Sequence, residues 1–565
     1  GTAMKTVIIG AVAGGATAAA RLRRLDEKAE IVVLERGGYV SFANCGLPYY
    51  IGGTVAKKEQ LLLQTPESFY KRYRVEVRLQ NEVTSIDREK KQVIVQDHTS
   101  GRVYAESYDK LIISPGAEPK MRFSGAERIF SLRDIPDTLD IKAFIDTKRP
   151  KSAIILGGGY IGLEMAENLA KKNIRVTIIQ RSHQLLNGML DSEMAAFAHN
   201  YLRAKGIRIF FDTQIISIAE GESSAIAQSD DKNFEADMII SAVGITPEGT
   251  LAQAAGLAMS EDGHILVNQF MQTDDENIYA LGDVCQVRSF IAPEKEMALP
   301  LAGPANKEAR LAADHICGIE HPFKGVQGTS ILGVLDLVCA STGFNEKTLQ
   351  AEKIPYNKIY VFPGNHAGFY PDSKTLSMKL LFRENGEILG AQIVGFEGTD
   401  KRIDIISTVI HGHMTVSDLA ELELAYAPAF GSAKDAVNIA GYAAQNYLEG
   451  LVDFFYPEDI ADLRDTDGVF LDVRTQKEFE RGHIEGAVHI PVDSLRERMN
   501  ELDKSKSLYV YCGVGLRGYV AYRILVQEGF KVSNLAGGMT LYNACNSMFI
   551  TSTYCIYFCP ENTNI

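Results

Sequence analysis

The chain has 565 residues, of which 46% are hydrophobic and 23% are charged, a composition typical of a folded globular protein. This length exceeds what one hydrophobic core supports, so several domains are expected. The net charge of −14 argues against binding to nucleic acids or to anionic membrane surfaces.

The eight cysteines are irregularly spaced, which does not fit the disulfide framework of a small secreted protein. We find no signal-peptide pattern and no apolar run long enough to span a bilayer. A cytoplasmic, reducing compartment and no membrane partner are therefore expected. No metal site is predicted, because Cys555 and Cys559 lack a second pair of ligands.

The first residues predict a dinucleotide site. An apolar strand, Lys5–Ile9, precedes a glycine-rich loop, a helical segment at Thr17–Leu25 and a second strand at Ile31–Leu34 that ends in Glu35. The glycines let the backbone approach a pyrophosphate at a helix N-terminus, and the acid would accept hydrogen bonds from ribose hydroxyls. Val12 stands where the usual fingerprint has its second glycine. The predicted contacts are Gly10, Ala13, Gly14, Gly15, Glu35 and Arg36.

Two later stretches favour FAD as the ligand of this site. Lys110–Ala117 reads as a strand that ends in a small-residue turn, and Asn277–Asp283 as a strand that ends in Gly-Asp. The second stretch resembles that of flavoprotein disulfide reductases whose aspartate bonds the ribityl chain of the flavin. This resemblance implies further contacts from Ser114, Pro115, Gly116, Ala117 and Asp283.

A second dinucleotide site follows with a complete fingerprint. Strand Ser152–Leu156 leads into a loop with all three glycines, a helical segment and strand Arg175–Ile179. No acid ends this strand to bind a ribose 2′-hydroxyl, so both NADH and NADPH stay open. The segment Asp237–Gly244 returns the chain to the first domain. The predicted contacts are Gly157, Gly159, Tyr160, Ile161, Gly162, Gln180, Arg181 and Gly244.

Two nucleotide sites imply hydride transfer from a nicotinamide to a flavin, and Cys45 is the candidate recipient of the electrons. No cysteine lies between Gly46 and Thr65, so Cys45 has no partner for an internal disulfide. A lone redox cysteine forms either a mixed disulfide with a small thiol or a sulfenic acid. The first outcome indicates a disulfide or persulfide reductase, and the second an NADH oxidase or peroxidase.

Residues 4 to about 444 resemble pyridine nucleotide-disulfide oxidoreductases, and specifically coenzyme A disulfide reductases. The resemblance is carried by the first glycine loop, Ser41–Cys45, Ser114–Ala117 and Ala425–Pro428. It implies that Cys45 is catalytic and that CoA is the substrate or a covalent adduct. The cationic candidates for the CoA phosphates are Arg21, Arg24, Lys71 and Arg72, and the polar candidates near the thiol are Ser41, Asn44 and Asn306.

The same resemblance makes Thr329–Tyr447 the interface domain of a homodimer. In relatives, tyrosines of this domain reach the active site of the partner, and Tyr426 matches one of these positions. At the other position relatives carry two tyrosines after His-Ala, whereas this chain has Phe369-Tyr370 after His366-Ala367-Gly368.

The C-terminal segment resembles a single rhodanese domain. The stretches that resemble this domain are Val469–Arg474, Gly482–Ala487, Cys512–Gly518 and Asn534–Gly538. Successive backbone N–H groups and a helix N-terminus would surround the Cys512 sulfur and stabilise a thiolate or a persulfide anion. Arg517 adds positive charge for an anionic sulfur donor, so Cys512 and Arg517 are predicted to be catalytic.

The sequence thus predicts an α/β protein with two Rossmann-like nucleotide-binding domains, an α+β dimerisation domain and a rhodanese domain. The predicted FAD-binding domain comprises residues 4–118 and 246–326, and the NAD(P)H-binding domain residues 119–245. The dimerisation domain is predicted at 327–448, the rhodanese domain at 452–545 and a C-terminal tail at 546–565. The predicted activity is FAD-dependent NAD(P)H reduction of CoA disulfide or CoA persulfide, with sulfane sulfur supplied by the rhodanese. The alternatives are an NADH oxidase or peroxidase with a sulfenic acid cycle, and a sulfur-delivery or redox-sensing protein.

Overall fold

The computed structural model describes residues 2–12, 14–42, 44–119, 126–242, 245–294 and 304–546. They form two compact units: the described residues up to 181 with those of 213–328, and residues 182–212 with 329–546. In the part of the chain that is described, none of the helices has the length and apolarity that a bilayer crossing requires.

The first unit is built on two parallel sheets. The first sheet has the strand order Ile278–Ala280, Lys110–Ile113, Lys5–Ile9, Glu30–Glu35 and Glu76–Leu79, with every neighbouring pair parallel. Its apolar runs are buried because helices and loops cover both faces. The carboxyl ends of the strands meet at one edge, which brings together the loops that follow Ile9, Glu35, Ile113 and Ala280.

The second sheet of this unit carries the other fingerprint. Ile129–Ser131, Met238–Ser241, Ser152–Leu156 and Arg175–Ile179 pair in this order and in parallel. Two short strands, Ala117–Pro119 and Ile245–Pro247, pair antiparallel where the chain leaves and re-enters the first domain. The predicted return of the chain after Asp237 leads to the second of these strands, and the domain bounds stay predictions.

The other elements of the first unit connect these sheets. The helices are Gly15–Leu25, Leu47–Ile51, Pro66–Tyr73, Ile135–Lys148, Tyr160–Lys171, Thr250–Ala254 and Ala305–Ile316, with 3-10 turns at Asn44–Gly46, Lys58–Gln60 and Gly282–Val284. The remaining strands are Ser41–Phe42, Leu62–Gln64, Asn81–Asp87, Gln92–Asp97, Val103–Ser107, Ser217–Glu220, Ala225–Gln228, Asn233–Ala236, Ile265–Leu266 and Cys285–Gln286.

The second unit contains an antiparallel and a parallel sheet. The antiparallel sheet has the order Ser330–Val334, Leu337–Gly343, Ile388–Gly395, Ser377–Phe382 and Asn357–Val361. The unit also contains Ser192–Ala204, Arg208–Phe210, Glu346–Ala351, Thr399–His411, Val416–Glu421 and Ala436–Leu448. Residues 182–212, which fall inside the predicted 119–245 domain, belong to this unit because Asp191 and Glu193 bind Lys379 of the antiparallel sheet.

The parallel sheet has the order Phe454–Phe455, Val532–Leu535, Leu508–Tyr511, Val469–Asp472 and Val488–His489. Its helices are Ile460–Leu463, Gln476–Arg481, Leu495–Arg498, Leu516–Gln527 and Gly538–Asn546, with 3-10 turns at Pro457–Asp459, Val492–Ser494 and Met499–Glu501. The core residues Leu471, Val510 and Leu525 are fully buried. Residues 547–565, most of the predicted tail, lie outside the described residues.

Candidate functional sites

Cys45 lies in the 3-10 turn Asn44–Gly46 and is an exposed, free thiol. The helix that follows, Leu47–Ile51, is anchored by the buried side chains of Leu47, Pro48 and Ile51. This anchoring holds an exposed sulfur on a fixed piece of backbone. The six described cysteines are all free, so the part of the chain that is described offers Cys45 no disulfide partner.

Two tyrosines that the sequence analysis missed in this role, Tyr160 and Tyr49, interact electrostatically with the thiol. Burial and the Glu164 carboxylate raise the pKa of Tyr160 to about 12, and the charge of Cys45 acts in the same direction. The pKa of Tyr49 is raised by burial, by Glu164 and also by Cys45. Burial raises the pKa of Glu164 itself to about 7. Cys45 thus lies near Tyr160, the first residue of the helix after the second glycine loop.

The first glycine loop has the geometry that a phosphate requires. Gly10 and Gly14 have positive φ angles of 88° and 100°, and a Cβ on Gly15 would lie 1.8 Å from the Gly10 carbonyl oxygen. The Ser114 hydroxyl donates to the carbonyl oxygens of Ile9 and Gly10, each at 2.9 Å. No side chain caps the first turn of helix Gly15–Leu25, which leaves this N-terminus suited to an anion.

Two charged residues near this loop, Glu35 and Arg36, are held by hydrogen bonds. Glu35 is buried and accepts hydrogen bonds from the backbone N–H groups of Ala11, at 3.0 Å, and Gly37, at 2.7 Å. A carboxylate accepts about four hydrogen bonds, so capacity for ribose hydroxyls remains. Arg36 pairs with Glu248 at 2.6 Å. The cofactor roles of Glu35 and Arg36 stay predictions.

A buried glutamate that the sequence analysis did not select lies beside Asp283. Glu308 is fully buried, and its Oε1 accepts from the Gly282 N–H at 2.9 Å. Its Oε2 has no hydrogen-bond partner within the described residues. Burial raises the pKa of Glu308 to about 7 and also raises that of Asp283. A carboxylate oxygen of this kind, next to a glycine loop at the sheet edge, fits a ligand with hydroxyl groups such as FAD.

The second loop fits a second dinucleotide. A Cβ on Gly162 would lie 2.0 Å from the Gly157 carbonyl oxygen, whereas a Cβ on Gly159 would meet no atom within 4 Å. Gln180 takes the place of the usual acid, and its Oε1 accepts from the Gly158 N–H at 2.7 Å. Tyr160, Ile161 and Arg181 are exposed around this loop. The role of these residues in NAD(P)H binding and the preference between the two nucleotides stay predictions.

Four predicted cofactor or substrate contacts fall wholly or partly outside the description. Ala13 and Gly244 are outside the described residues, and so are the side chains of Asn44 and Ala117.

The predicted CoA contacts divide into paired and exposed groups. The Arg21 Nε donates to Asp314 at 2.7 Å, and Asp314 is fully buried, so the Arg21 charge is neutralised. Arg24 and Lys71 are exposed, and the Asn306 Oδ1 accepts from the Thr17 hydroxyl at 2.9 Å. Ser41 is half-buried and pairs with Gln64 in a two-stranded sheet. The roles of all these residues in CoA binding stay predictions.

Tyr426 belongs to an exposed aromatic surface, which also contains Phe369, Tyr370 and Phe430. The exposed fraction of Phe369 is 76% and that of Tyr426 is 50%. The Ala367 N–H donates to the Gly431 carbonyl at 2.9 Å, which joins the two segments that carry these rings. An aromatic surface of this kind is suited to contact with another protein surface.

Cys512 directly follows strand Leu508–Tyr511, and its side chain is buried. The Gly515 N–H donates to the Cys512 Sγ at 3.1 Å. Burial raises the pKa of the Cys512 thiol, while the N–H groups of Gly518, Gly515 and Val514 and the charge of Arg517 act to lower it. The predicted backbone cradle is present, and its effect on the thiol is smaller than that of burial.

Two further residues that the sequence analysis missed hold this loop. The Asn534 Nδ2 donates to the Gly515 carbonyl at 3.2 Å, and a Cβ on Gly518 would lie 2.2 Å from the Asn534 Oδ1. Arg517 donates to both carboxylate oxygens of Glu478, at 2.7 and 2.9 Å. The predicted catalytic arginine is therefore ion-paired.

The fold and these loops define a class of protein: a reductase that passes electrons from a pyridine nucleotide to sulfur, joined to a sulfurtransferase module. The chain belongs to the pyridine nucleotide-disulphide oxidoreductase family, whose model matches residues 4–308. The dimerisation domain of that family matches residues 330–437, and a rhodanese-like domain matches residues 456–545. FAD and NAD(P)H are the cofactors of this family, and the predicted fold class is confirmed.

Three relatives extend this assignment. The coenzyme A disulfide reductase of Staphylococcus epidermidis is 36% identical over 445 residues, which are 78% of this chain and all of that protein. The structure of reduced Bacillus anthracis CoADR-RHD has a TM-score of 0.92 and 43% identity, covering 96% of this chain and 98% of that one. The NAD-dependent persulfide reductase from A. fulgidus has a TM-score of 0.87 and 35% identity, covering 95% of this chain and all of that one.

Proposed function

We propose that this protein is an FAD-dependent NAD(P)H reductase of CoA disulfide and CoA persulfide, with Cys45 as its single redox cysteine. The observation that carries the proposal is the position of Cys45, exposed, unpaired and close to Tyr160 at the start of the second glycine loop's helix. The names of the relatives, a coenzyme A disulfide reductase and a persulfide reductase, support the same substrates.

With CoA disulfide, the Cys45 thiolate attacks one sulfur, forms a mixed disulfide with CoA and releases the first CoA thiolate. FAD, when bound, relays the two electrons of NAD(P)H to sulfur. The overall change consumes one proton and one NAD(P)H and yields two CoA thiols. With CoA persulfide, one NAD(P)H and one proton are again consumed, and the products are one CoA thiol and hydrogen sulfide.

The rhodanese-like domain supplies sulfane sulfur through Cys512. A reductase of CoA disulfide alone needs no sulfurtransferase, whereas a persulfide reductase can use one to load its substrate. The N–H groups that act to lower the pKa of the Cys512 thiol would also stabilise a terminal sulfur anion. The path of sulfur from Cys512 to Cys45 is part of the proposal, with CoA as the carrier.

We also propose a homodimer in which the exposed aromatic surface around Tyr426 meets the second copy. The match to the family's dimerisation domain supports this assembly. The free state of the described cysteines suits a cytoplasmic, reducing compartment. Light scattering on the purified protein tests the dimer, and a monomeric mass would contradict it.

The decisive experiment combines mass spectrometry with three variants. Intact mass and peptide mapping of the purified protein should show CoA on Cys45, released by a thiol reductant. Cys45→Ser should abolish reduction of both substrates with flavin still bound. Cys317→Ser, a change at a half-buried free thiol, is the matched control and should keep turnover.

The Cys512→Ser variant then distinguishes the role of Cys512 from that of Cys45. This variant should keep reduction of CoA disulfide and lose turnover that depends on an external sulfane donor. Retained turnover in Cys45→Ser would overturn the role of Cys45. Faster turnover with peroxide than with CoA persulfide would favour the oxidase or peroxidase instead.

A further inference from the structure

The Arg517 guanidinium at the Cys512 loop is held by Glu478 in a bidentate ion pair. The two hydrogen bonds measure 2.7 and 2.9 Å, and the exposed fractions of the side chains are 28% for Arg517 and 20% for Glu478. Glu478 is itself fixed, because its Oε1 also accepts from the Thr475 hydroxyl at 3.0 Å in a capping box at the start of helix Gln476–Arg481. A partly buried pair of this geometry is strong and neutral overall.

A second arginine close to the loop is neutralised in the same way. Arg474 donates to Asp472, with Nη2 to Oδ2 at 2.8 Å, and both side chains are almost fully buried. Its guanidinium lies 5.6 Å from the ring centre of Tyr511, the residue before Cys512. Both arginines near the cysteine are therefore paired with carboxylates.

Two exposed side chains next to the loop are apolar. Leu516, the first residue of the helix after the loop, is 59% exposed, and Val520, one turn later on the same face, is 41% exposed. Such side chains offer contact to the carbon skeleton of an organic donor and none to a small inorganic anion.

We infer that Glu478 sets the sulfur-donor preference of Cys512, favouring persulfides carried on organic thiols over inorganic dianions such as thiosulfate. The inference rests on the proposed role of Cys512 as the sulfur acceptor. A dianion gives up hydration on entering the loop and needs an uncompensated cation in return, but the ion pair with Glu478 offsets much of the charge of Arg517. The Glu478 carboxylate, still partly exposed, also repels the dianion, which is selection by an unfavourable contact.

The transfer step is the same for both donors. The Cys512 thiolate attacks the terminal sulfur of R–S–SH, a new sulfur–sulfur bond forms, and the old one breaks with its electron pair on R–S⁻, which takes a proton from water. With thiosulfate the leaving group is sulfite, and the terminal sulfur stays on Cys512 as an anion. No net oxidation occurs in either case.

Single-turnover mass spectrometry of the full-length protein tests the inference. The wild-type protein and Glu478→Gln are mixed with thiosulfate or with pantetheine persulfide, and the gain of one sulfur atom on Cys512 is followed over time. Glutamine keeps one acceptor oxygen, which can serve Thr475 and one Arg517 N–H, while it removes the negative charge and the second hydrogen bond to Arg517. The ratio of the thiosulfate rate to the persulfide rate should rise by about tenfold or more in Glu478→Gln, with the new thiosulfate rate falling steeply as salt is added.

Glu480→Gln is the matched control, since Glu480 is exposed on the same helix and bonds only Gln476 among the contacts described. It should leave the ratio within about twofold, as expected for a screened surface charge. Equal changes in both rates in Glu478→Gln would overturn the inference, and so would a wild-type protein that reacts equally fast with both donors. Failure of both donors to load Cys512 would overturn the proposed role of Cys512 as well.

Discussion

Arg402 and Asp435 form an ion pair inside the dimerisation domain. The Arg402 Nη2 donates to the Asp435 Oδ1 at 2.8 Å and to the Asn365 carbonyl at 2.7 Å. The exposed fractions of the two side chains are 2% and 5%. Asn365 precedes the segment of Phe369 and Tyr370, and Asp435 caps the helix that follows the segment of Tyr426. One guanidinium thus fixes both parts of the exposed aromatic surface.

Arg402→Met should therefore destabilise the protein by about 3–5 kcal/mol, because it leaves the Asp435 carboxylate buried without its counter-charge. Urea unfolding followed by circular dichroism measures this loss. Arg383→Met is the control, since Arg383 pairs with Glu387 at the surface and a pair of that kind contributes about 1 kcal/mol or less. Equal losses in the two variants would contradict the prediction that the buried ion pair matters more to the free energy of unfolding than the surface pair.

The second prediction concerns acid. The Lys379 ammonium contacts Asp191, Glu193 and Glu346, with Asp191 at 2.8 Å, and its side chain is fully buried. Burial alone would raise the pKa of Glu346, but Lys379 and Lys358 hold it at about 2. The folded pKa lies below the ordinary value, so this group stabilises the protein above about pH 4.5, and the contribution is lost as the pH falls toward about 2.

Glu346→Gln should accordingly flatten the loss of stability between about pH 4.5 and pH 2, by up to about 3 kcal/mol. Unfolding free energies of the wild-type protein and the variant across this range provide the measurement. Glu387→Gln, at a partly exposed position, should leave the acid profile unchanged. Parallel profiles for the wild-type protein and Glu346→Gln would show that the pKa of Glu346 is not depressed.

The third prediction concerns a carboxyl group whose contribution to stability falls, rather than rises, with increasing pH. Burial raises the pKa of Glu308 to about 7, so the folded protein keeps a proton that the unfolded chain releases above about pH 4.5. This group therefore lowers stability as the pH rises from about 4.5 through about 7. Glu308→Gln keeps an acceptor for the Gly282 N–H and should gain up to about 3 kcal/mol at pH 8 relative to pH 5.

Thermal unfolding at the two pH values, with flavin content measured alongside, checks this outcome. Glu106→Gln serves for comparison because the Lys5 and Arg78 contacts lower the pKa of Glu106 against the effect of burial. A variant at Glu308 with no gain at pH 8 would contradict the assignment of a raised pKa.

The fourth prediction separates the two glycine loops. In Gly162→Ala the new Cβ would lie 2.0 Å from the Gly157 carbonyl oxygen, so the second loop has to move. We expect KM for NAD(P)H to rise by about tenfold or more, in line with loss of backbone contacts to a phosphate, while flavin stays bound. Gly188→Ala, where a Cβ meets no atom within 4 Å, is the control. Loss of flavin in Gly162→Ala would place the effect in the wrong site.

Much of the fold was predictable because its signals are local. The strand–glycine–helix patterns at Gly10 and Gly157, and the cysteine loop at Cys512, each lie within one short segment whose backbone geometry depends on nearby residues. The absence of a neighbouring cysteine around Cys45 is also a local feature that the sequence shows directly. The family assignment followed from these segments and from their order along the chain.

The partners of the site residues were not predictable in the same way. Glu308 is 26 residues from Gly282, Glu478 is 39 from Arg517, and Asp314 is 293 from Arg21. No sequence spacing links such pairs, and a charged residue read alone resembles a solvated surface group.

The sequence by itself therefore determined the fold class, the order of the domains, the two glycine loops and the two candidate cysteines, because glycine and cysteine positions define local backbone geometry and possible chemistry. Only the tertiary structure decided which charges are neutralised and which carboxyl groups are buried. Cys45 lies near Tyr160, and Arg517 is matched by Glu478, because packing brings distant segments together and removes water from between them.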